Sequence, residues 1–287
     1  MGNIMIGKKA GFCFGVERAL EIALASRSHH RQPVYILGPL IHNPRVIADL
    51  ESRGIKTISA LEEAESGGIL LIRSHGAGPQ IFMDAEERGL KVIDATCPFV
   101  KQEQKLAQGL RRDGYQVVVV GDPLHPEVQA VVDTVDGEAI VVNPSAPEEV
   151  HRGSIKAKLG LVCQTTLSQQ QLALVVNLLL PLTKELKVFN TICHATRKRQ
   201  TEAADLAQKV DILLVIGGKN SANTRKLVEI GSSFTPTYHI ESKAEINPKW
   251  LEDKRIVGVS AGASTPQDQI DEVASWLEQY YNIIQEV

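Results

Sequence analysis

Short apolar runs alternate along the chain with stretches whose apolar residues recur at helical spacing. This alternation predicts parallel strands joined by helices. The runs PVYILG, GILLIRSHG and LKVID are answered later by YQVVVVG, KLGLVC and ELKVF, and later still by DILLVIGG and RIVGVSAGAS. Between them, Phe14 to Ser28 places Val16, Ala19, Leu20, Ala23 and Leu24 on one helical stripe. The stretch CPFVKQEQKLAQGLRRDG reads as a helix with Pro98 at its first position and Gly114 past its end, the usual start and stop signals. HATRKRQTEAADLAQKV and PQDQIDEVASWLEQYY are further helices.

The pattern repeats as a whole. LKVIDATCP (Leu90 to Pro98) returns as LKVFNTICH (Leu186 to His194), and the chain starts with a looser version, IMIGKKAGFCF (Ile4 to Phe14). Each is a strand-like run that ends in a cysteine and leads into a helix. Cys97 lies 84 residues after Cys13, and Cys193 lies 96 after Cys97, so three units of one design are expected. The expected fold is α/β, with three small parallel-sheet domains spanning 13–96, 97–192 and 193–287. The third copy runs out before its closing strand, and residues 1–12 carry a strand with no unit of its own. The N-terminal strand, Asn3 to Lys8, is therefore expected to complete the third sheet and close the domains into a ring. A single long sheet fits the strand count but not the recurrence of cysteine at one phase.

Composition narrows the function. With 31 Lys and Arg against 34 Asp and Glu, the formal charge of -3 shows no basic excess, which disfavours a general nucleic-acid binder while leaving room for a local anion site. The longest apolar run, Leu172 to Leu182, is broken by Asn177 and Pro181 and is far shorter than the roughly 20 residues a membrane span needs. No targeting segment is evident at the start, so the expected location is cytoplasmic. Four cysteines in 287 residues are too few for a disulfide scaffold, and metal ligation, catalysis or simple burial are the alternatives.

Phase separates these alternatives. Three cysteines sit at helix starts, where the dipole and free N–H groups favour a thiolate; Cys163 is out of phase and reads as structural. Three thiols fit either zinc with an open position or an iron-sulfur cluster with one iron lacking a protein ligand, and spacing does not choose between them. Polar loops also recur in phase. His42 follows its cysteine by 29 residues, while His125 and Ser221 each follow theirs by 28. The later strand of each copy ends in RSHG, QTT or AGAS, which supplies His75, Thr165 with Thr166, and Ser264. Such donors suit phosphate oxygens. Glu127, in HPE, is the one acid among them: either a proton donor raised by burial or a first-turn carboxylate facing the helix dipole. His29 and His30 read as solvated loop residues, and His151, His194 and His239 share no such phase.

AGFCFGVERAL, HNP, RSHG, DATCP, HPE, QTT, KNSANT and AGAS, in this order over nearly the whole chain, resemble the 4-hydroxy-3-methylbut-2-enyl diphosphate reductase family. The resemblance implies a trefoil of three α/β domains around a [4Fe-4S] cluster held by Cys13, Cys97 and Cys193. It implies reductive removal of an allylic hydroxyl to give isopentenyl and dimethylallyl diphosphates, the last step of the non-mevalonate isoprenoid pathway. By the same resemblance His42, His75, His125, Ser221, Asn223 and Ser264 bind the diphosphate, Glu127 supplies a proton with His125 beside it, and Thr165 holds the substrate hydroxyl. Ferredoxin or flavodoxin would deliver electrons to a monomer. Ala222 replaces a serine found in some members, which removes one side-chain hydroxyl. The competing class is a non-catalytic iron-sulfur carrier or redox sensor, which needs a fourth ligand and no convergent phosphate donors; a zinc hydrolase is a third.

Overall fold

The computed structural model describes residues 3–147 and 154–285, so His151 lies outside it. Among the described residues, twelve strands fall into three four-stranded sheets, and every pairing is parallel. The first sheet contains β2 (Val34–Leu37), β3 (Ile55–Ile58), β4 (Ile69–Ile72) and β5 (Lys91–Asp94), in the order β3-β2-β4-β5. The second repeats this order as β7-β6-β8-β9, from β6 (Gln116–Val120), β7 (Ile140–Val142), β8 (Lys158–Cys163) and β9 (Glu185–Val188). In the third, β10 (Ile212–Ile216), β11 (Thr237–Ile240) and β12 (Ile256–Ala261) take the first three places, and β1 (Asn3–Ile6) takes the fourth. Asn3 pairs with Ile256 and Ile6 with Val259. The strand at the start of the chain therefore completes the last sheet, as the repeat requires.

Nine helices connect these strands among the described residues: α1 (Phe14–His29), α2 (Pro44–Ser52), α3 (Pro79–Glu87), α4 (Pro98–Arg112), α5 (Pro126–Asp133), α6 (Gln169–Leu179), α7 (His194–Ala207), α8 (Ala222–Ser232) and α9 (Gln267–Gln285). Two starts differ from the sequence reading. KNSANT and HPE are expected as loops, yet Asn223 lies in the first turn of α8 and Glu127 in the first turn of α5. The reason is capping. Ser221 accepts the Thr224 N–H, and His125 accepts the Glu127 N–H, so α5 starts at Pro126 and α8 at Ala222, two and three residues ahead of the helical patterns VQAVVDTV and RKLVEIGS.

The chain forms two compact units, one of Met1–Val16, His42–Val46 and His194–Val287 and the other of Glu17–Ile41 and Ile47–Cys193. In the first, the side-chain alternation of β10 feeds two cores. Ile212, Leu214 and Ile216 pack with Ile270, Val273 and Leu277 of α9, while Leu213 and Val215 pack with Ala203, Leu206 and Leu227. Burial on both faces explains why the strand is apolar throughout instead of alternating. In the second unit, Val118 and Val120 of β6 face Leu172, Val175 and Leu179 of α6, and Val117 and Val119 face Ala107, Leu110, Val128 and Val131.

The helix that follows each of the last two cysteines crosses its sheet over a glycine. A Cβ on Gly160, the third residue of β8, would overlap the methyl groups of Leu110. One on Gly258, the third residue of β12, would come within 2.9 Å of Leu213 and 3.0 Å of Val210, with Leu206 of α7 at 3.3 Å. Gly160→Ala is expected to destabilise the fold by about 1–3 kcal/mol through overpacking. Chemical denaturation checks this, and an unchanged midpoint would show that α4 shifts freely.

Candidate active site

The three cysteines are held in one way. The Cys97 N–H donates to the Ser74 carbonyl at 3.0 Å, the Cys193 N–H to Thr165 at 3.0 Å, and the Cys13 N–H to Ala263 at 3.1 Å. Each acceptor lies two residues beyond the end of its strand, β4, β8 or β12. The loops RSHG, QTT and AGAS are thus fastened to DATCP, TICH and AGFC respectively. None of the four cysteines is in a disulfide, and Cys13, Cys97 and Cys193 are partly exposed whereas Cys163 is buried.

DATCP illustrates how sequence builds such a turn. Asp94 accepts the Thr96 N–H at 2.9 Å and pairs with Lys101 Nζ at 2.6 Å. Partial burial pushes the Asp94 carboxyl up, but the bonds from Lys101 and Thr96 outweigh it and hold the group below the ordinary carboxylate range. Arg18, from the motif around the first cysteine, donates to the Thr96 carbonyl at 3.2 Å. Cys97 then caps α4 with Pro98 at its first position. Across the loop, Gly76 takes φ +79°, and a Cβ there would come within 2.9 Å of Gln104 and 3.2 Å of Thr96, so the glycine of RSHG is required by both conformation and space.

The second unit gathers His75, His125, Glu127 and Thr165. Glu127 is 2% exposed. Its Oε1 accepts the Thr165 N–H at 2.5 Å, and its Oε2 accepts the Thr165 hydroxyl at 3.0 Å. Burial pushes the Glu127 carboxyl up, and the two bonds from Thr165 act against that. His125 caps α5 through Nδ1, which accepts the Glu127 N–H at 3.2 Å. That bond makes the neutral ring an Nε2–H donor. The His75 and His125 rings meet edge to face at 5.4 Å. Both sequence readings of Glu127 have a basis here: it stands in a helix first turn, but it is buried against Thr165 instead of facing solvent.

The first unit gathers the other set. Buried Asn43 donates to the Ser264 carbonyl at 2.8 Å and to Gln269 Oε1 at 3.1 Å, joining HNP to AGAS. Its Oδ1 accepts the Arg45 N–H at 3.0 Å, fixing the turn after His42. Gly218 packs on the His42 carbonyl so closely that a Cβ would overlap it. Ser221 caps α8, and Asn223, 5% exposed, has both amide atoms buried without a partner among the described residues. A buried carboxamide in that condition carries a desolvation cost that a polar ligand can relieve.

The family described as LytB protein matches residues 4–278. The chain belongs to this family. A 4-hydroxy-3-methylbut-2-enyl diphosphate reductase of Pelobacter propionicus is 47% identical over 272 residues, 94% of this chain and 96% of its own length. The enzyme of that name from Geobacter sulfurreducens is 46% identical, covering 98% of both chains. Among solved structures, (E)-4-hydroxy-3-methyl-but-2-enyl diphosphate reductase, described as the terminal enzyme of the non-mevalonate pathway, is 41% identical with a TM-score of 0.71, covering 97% of this chain and 100% of that one. The E-1-hydroxy-2-methyl-but-2-enyl-4-diphosphate reductase from Plasmodium falciparum is 27% identical with a TM-score of 0.90, covering 96% and 88%.

Within this LytB family chain, two residues beside the candidate site carry no expectation from the sequence. Asn43 falls inside a quoted motif but without a role. Glu103 falls outside every motif, although Val100, Glu103, Ala107 and Leu110 are the buried residues of α4. An acid on the apolar stripe of an amphipathic helix was the available signal.

Proposed function

We propose that this chain is a 4-hydroxy-3-methylbut-2-enyl diphosphate reductase that catalyses the last step of the non-mevalonate isoprenoid pathway. It removes the allylic hydroxyl with two electrons and two protons, releasing water and giving isopentenyl or dimethylallyl diphosphate. The observation that carries the reading is the buried Glu127 carboxyl bonded to both the N–H and the hydroxyl of Thr165.

The cofactor is proposed to be a [4Fe-4S] cluster held by Cys13, Cys97 and Cys193. The donor set fits: three partly exposed cysteines outside any disulfide, each at a helix start and each fastened by the same backbone bond. When bound, such a cluster supplies electrons and one iron without a protein ligand. The chain's own residues do the rest. His42, His75, His125, Ser221, Asn223 and Ser264 are assigned to the diphosphate, whose charge anchors one end of the substrate. Asn223 would gain the partners its amide now lacks, while Ala222 offers only its backbone. The neutral His125 ring would donate from Nε2. Thr165 would hold the substrate hydroxyl, and Glu127 would pass it a proton through or beside the Thr165 hydroxyl. The three sheets are read as three domains bounded at Cys97 and Cys193. Ferredoxin or flavodoxin is the proposed donor, to a cytoplasmic monomer; no helix among the described residues is long and apolar enough to cross a membrane.

Anaerobic purification with optical and EPR spectra, recorded with and without the hydroxylated diphosphate, tests this. The expected result is an iron-sulfur spectrum that changes when substrate is added. A colourless protein with stoichiometric zinc would overturn the cofactor, and a cluster whose spectrum ignores substrate would point to a carrier.

A further inference from the structure

Glu103 of α4 is fully buried, and neither carboxyl oxygen has an N–H or O–H donor from the described residues. An isolated carboxylate in that position would be severely destabilised. Its polar neighbour is another acid, the Glu127 side chain, within hydrogen-bonding reach. Two carboxylates cannot bond to each other, so a bond between these acids demands a proton. Glu127 already accepts two bonds from Thr165, which makes Glu103 the natural donor and Glu127 the acceptor.

The charges around the pair point the same way. Among the described residues, the titratable groups that act on Glu103 are Glu127 from α5 and Cys163 from β8, and neither is a cation. Burial first, and then the negative charge of Glu127, pushes the Glu103 carboxyl well above the ordinary range. The Cys163 thiol is itself pushed up by burial and stays protonated. Like-charged groups forced into one site share protons, and their titration belongs to the pair.

We propose that Glu103 is the proton reservoir of the reductase: its carboxylic acid hydrogen-bonds to Glu127 and reprotonates it during turnover. This rests on the reductase reading above. The Glu103 O–H bond breaks as a Glu127 O–H bond forms, and Glu127 then passes that proton on toward the Thr165 hydroxyl and the substrate oxygen. Glu103 becomes a carboxylate, and a proton from bulk water restores it before the next cycle. No electrons move in this step. Glu103 acts through Glu127 and is a positioning residue; it needs no contact with substrate.

The pair widens the pH range over which a proton is available. With both acids present, one proton is retained until the second, higher step of the pair. With glutamine at 103, delivery depends on Glu127 alone. E103Q is therefore expected to fold and to bind cluster and substrate, with KM within about 2-fold of wild type, while kcat at neutral pH falls about 10- to 100-fold. The alkaline limb of its pH–rate profile should move to lower pH by about one unit or more. A profile that superimposes on wild type would overturn the proposal.

Infrared spectra of the wild-type holoenzyme give a readout independent of turnover and of any variant. The carbonyl band of a buried, protonated carboxylic acid should persist at neutral pH and disappear or shift in E103Q. Its absence from the wild type at neutral pH would overturn the proposal even if E103Q failed to fold. If the band is present but the protein lacks reductase activity, the shared proton stands and the reductase reading fails.

Discussion

Glu127→Gln is expected to lower turnover by about 10²- to 10⁴-fold while leaving cluster content and substrate affinity near wild type. Glutamine matches the carboxylate in size, and its carbonyl oxygen can still accept one bond from Thr165. The second bond reverses, because the amide nitrogen donates where Oε2 accepted and the Thr165 hydroxyl can accept it. What disappears is the transferable proton. Binding and chemistry therefore separate: a steady-state assay with reduced dye as electron source should show kcat falling with little change in KM, the mark of an interaction made in the reacting state. Near-normal turnover would reject the proton role. Loss of cluster and substrate binding together would make Glu127 a structural residue.

The same acid predicts how pH acts. Burial raises the Glu127 and Glu103 carboxyls, so the folded protein holds protons that the unfolded chain releases. Their contribution to stability is fully present below the ordinary carboxylate range and is lost as pH rises through the folded-state values. Activity follows the same direction, because the protonated pair is the competent form. In E127Q one member of the pair no longer titrates, so this part of the pH dependence of stability should shrink.

Much of this arrangement was legible in the sequence because it is repeated. A cysteine after the closing strand of each copy fixed the phase, and the orphan strand at the N-terminus announced its place beside β12. The bond from each cysteine's N–H to a carbonyl two residues past a strand was not legible, since it arises only when the sheets are formed. Nor were the early starts of α5 and α8, where a histidine and a serine serve as caps ahead of the apolar stripe. Glu103 was overlooked for a different reason. Periodicity marks which face of α4 is buried, but a single acid there reads as a charged surface residue until β8 and α5 are seen to cover it. Its partner Glu127 is 24 positions away in sequence, and only the packing of α4 beside α5 makes the two acids neighbours.

Cys97 and Cys163 give the largest contrast available between residues of one type. Cys97 caps α4, where a helix N-terminus favours negative charge, and it is partly exposed at the end of a turn braced by Asp94, Lys101 and Arg18. Cys163 ends β8 with 0% exposure, its sulfur facing the Thr191 hydroxyl at 3.4 Å and its thiol pushed up by burial. Cys97→Ser is expected to abolish the visible absorbance of the reconstituted protein and reduce turnover by more than about 10²-fold, because a serine hydroxyl is a poor substitute for a soft thiolate ligand. Cys163→Ser should retain the cluster and lose only stability, by about 1–3 kcal/mol for placing a hydroxyl among apolar side chains. Iron content, absorbance and thermal unfolding of both variants, prepared anaerobically in parallel, decide the assignment. Retention of a full cluster in Cys97→Ser, or its loss from a folded Cys163→Ser, would require a different ligand set.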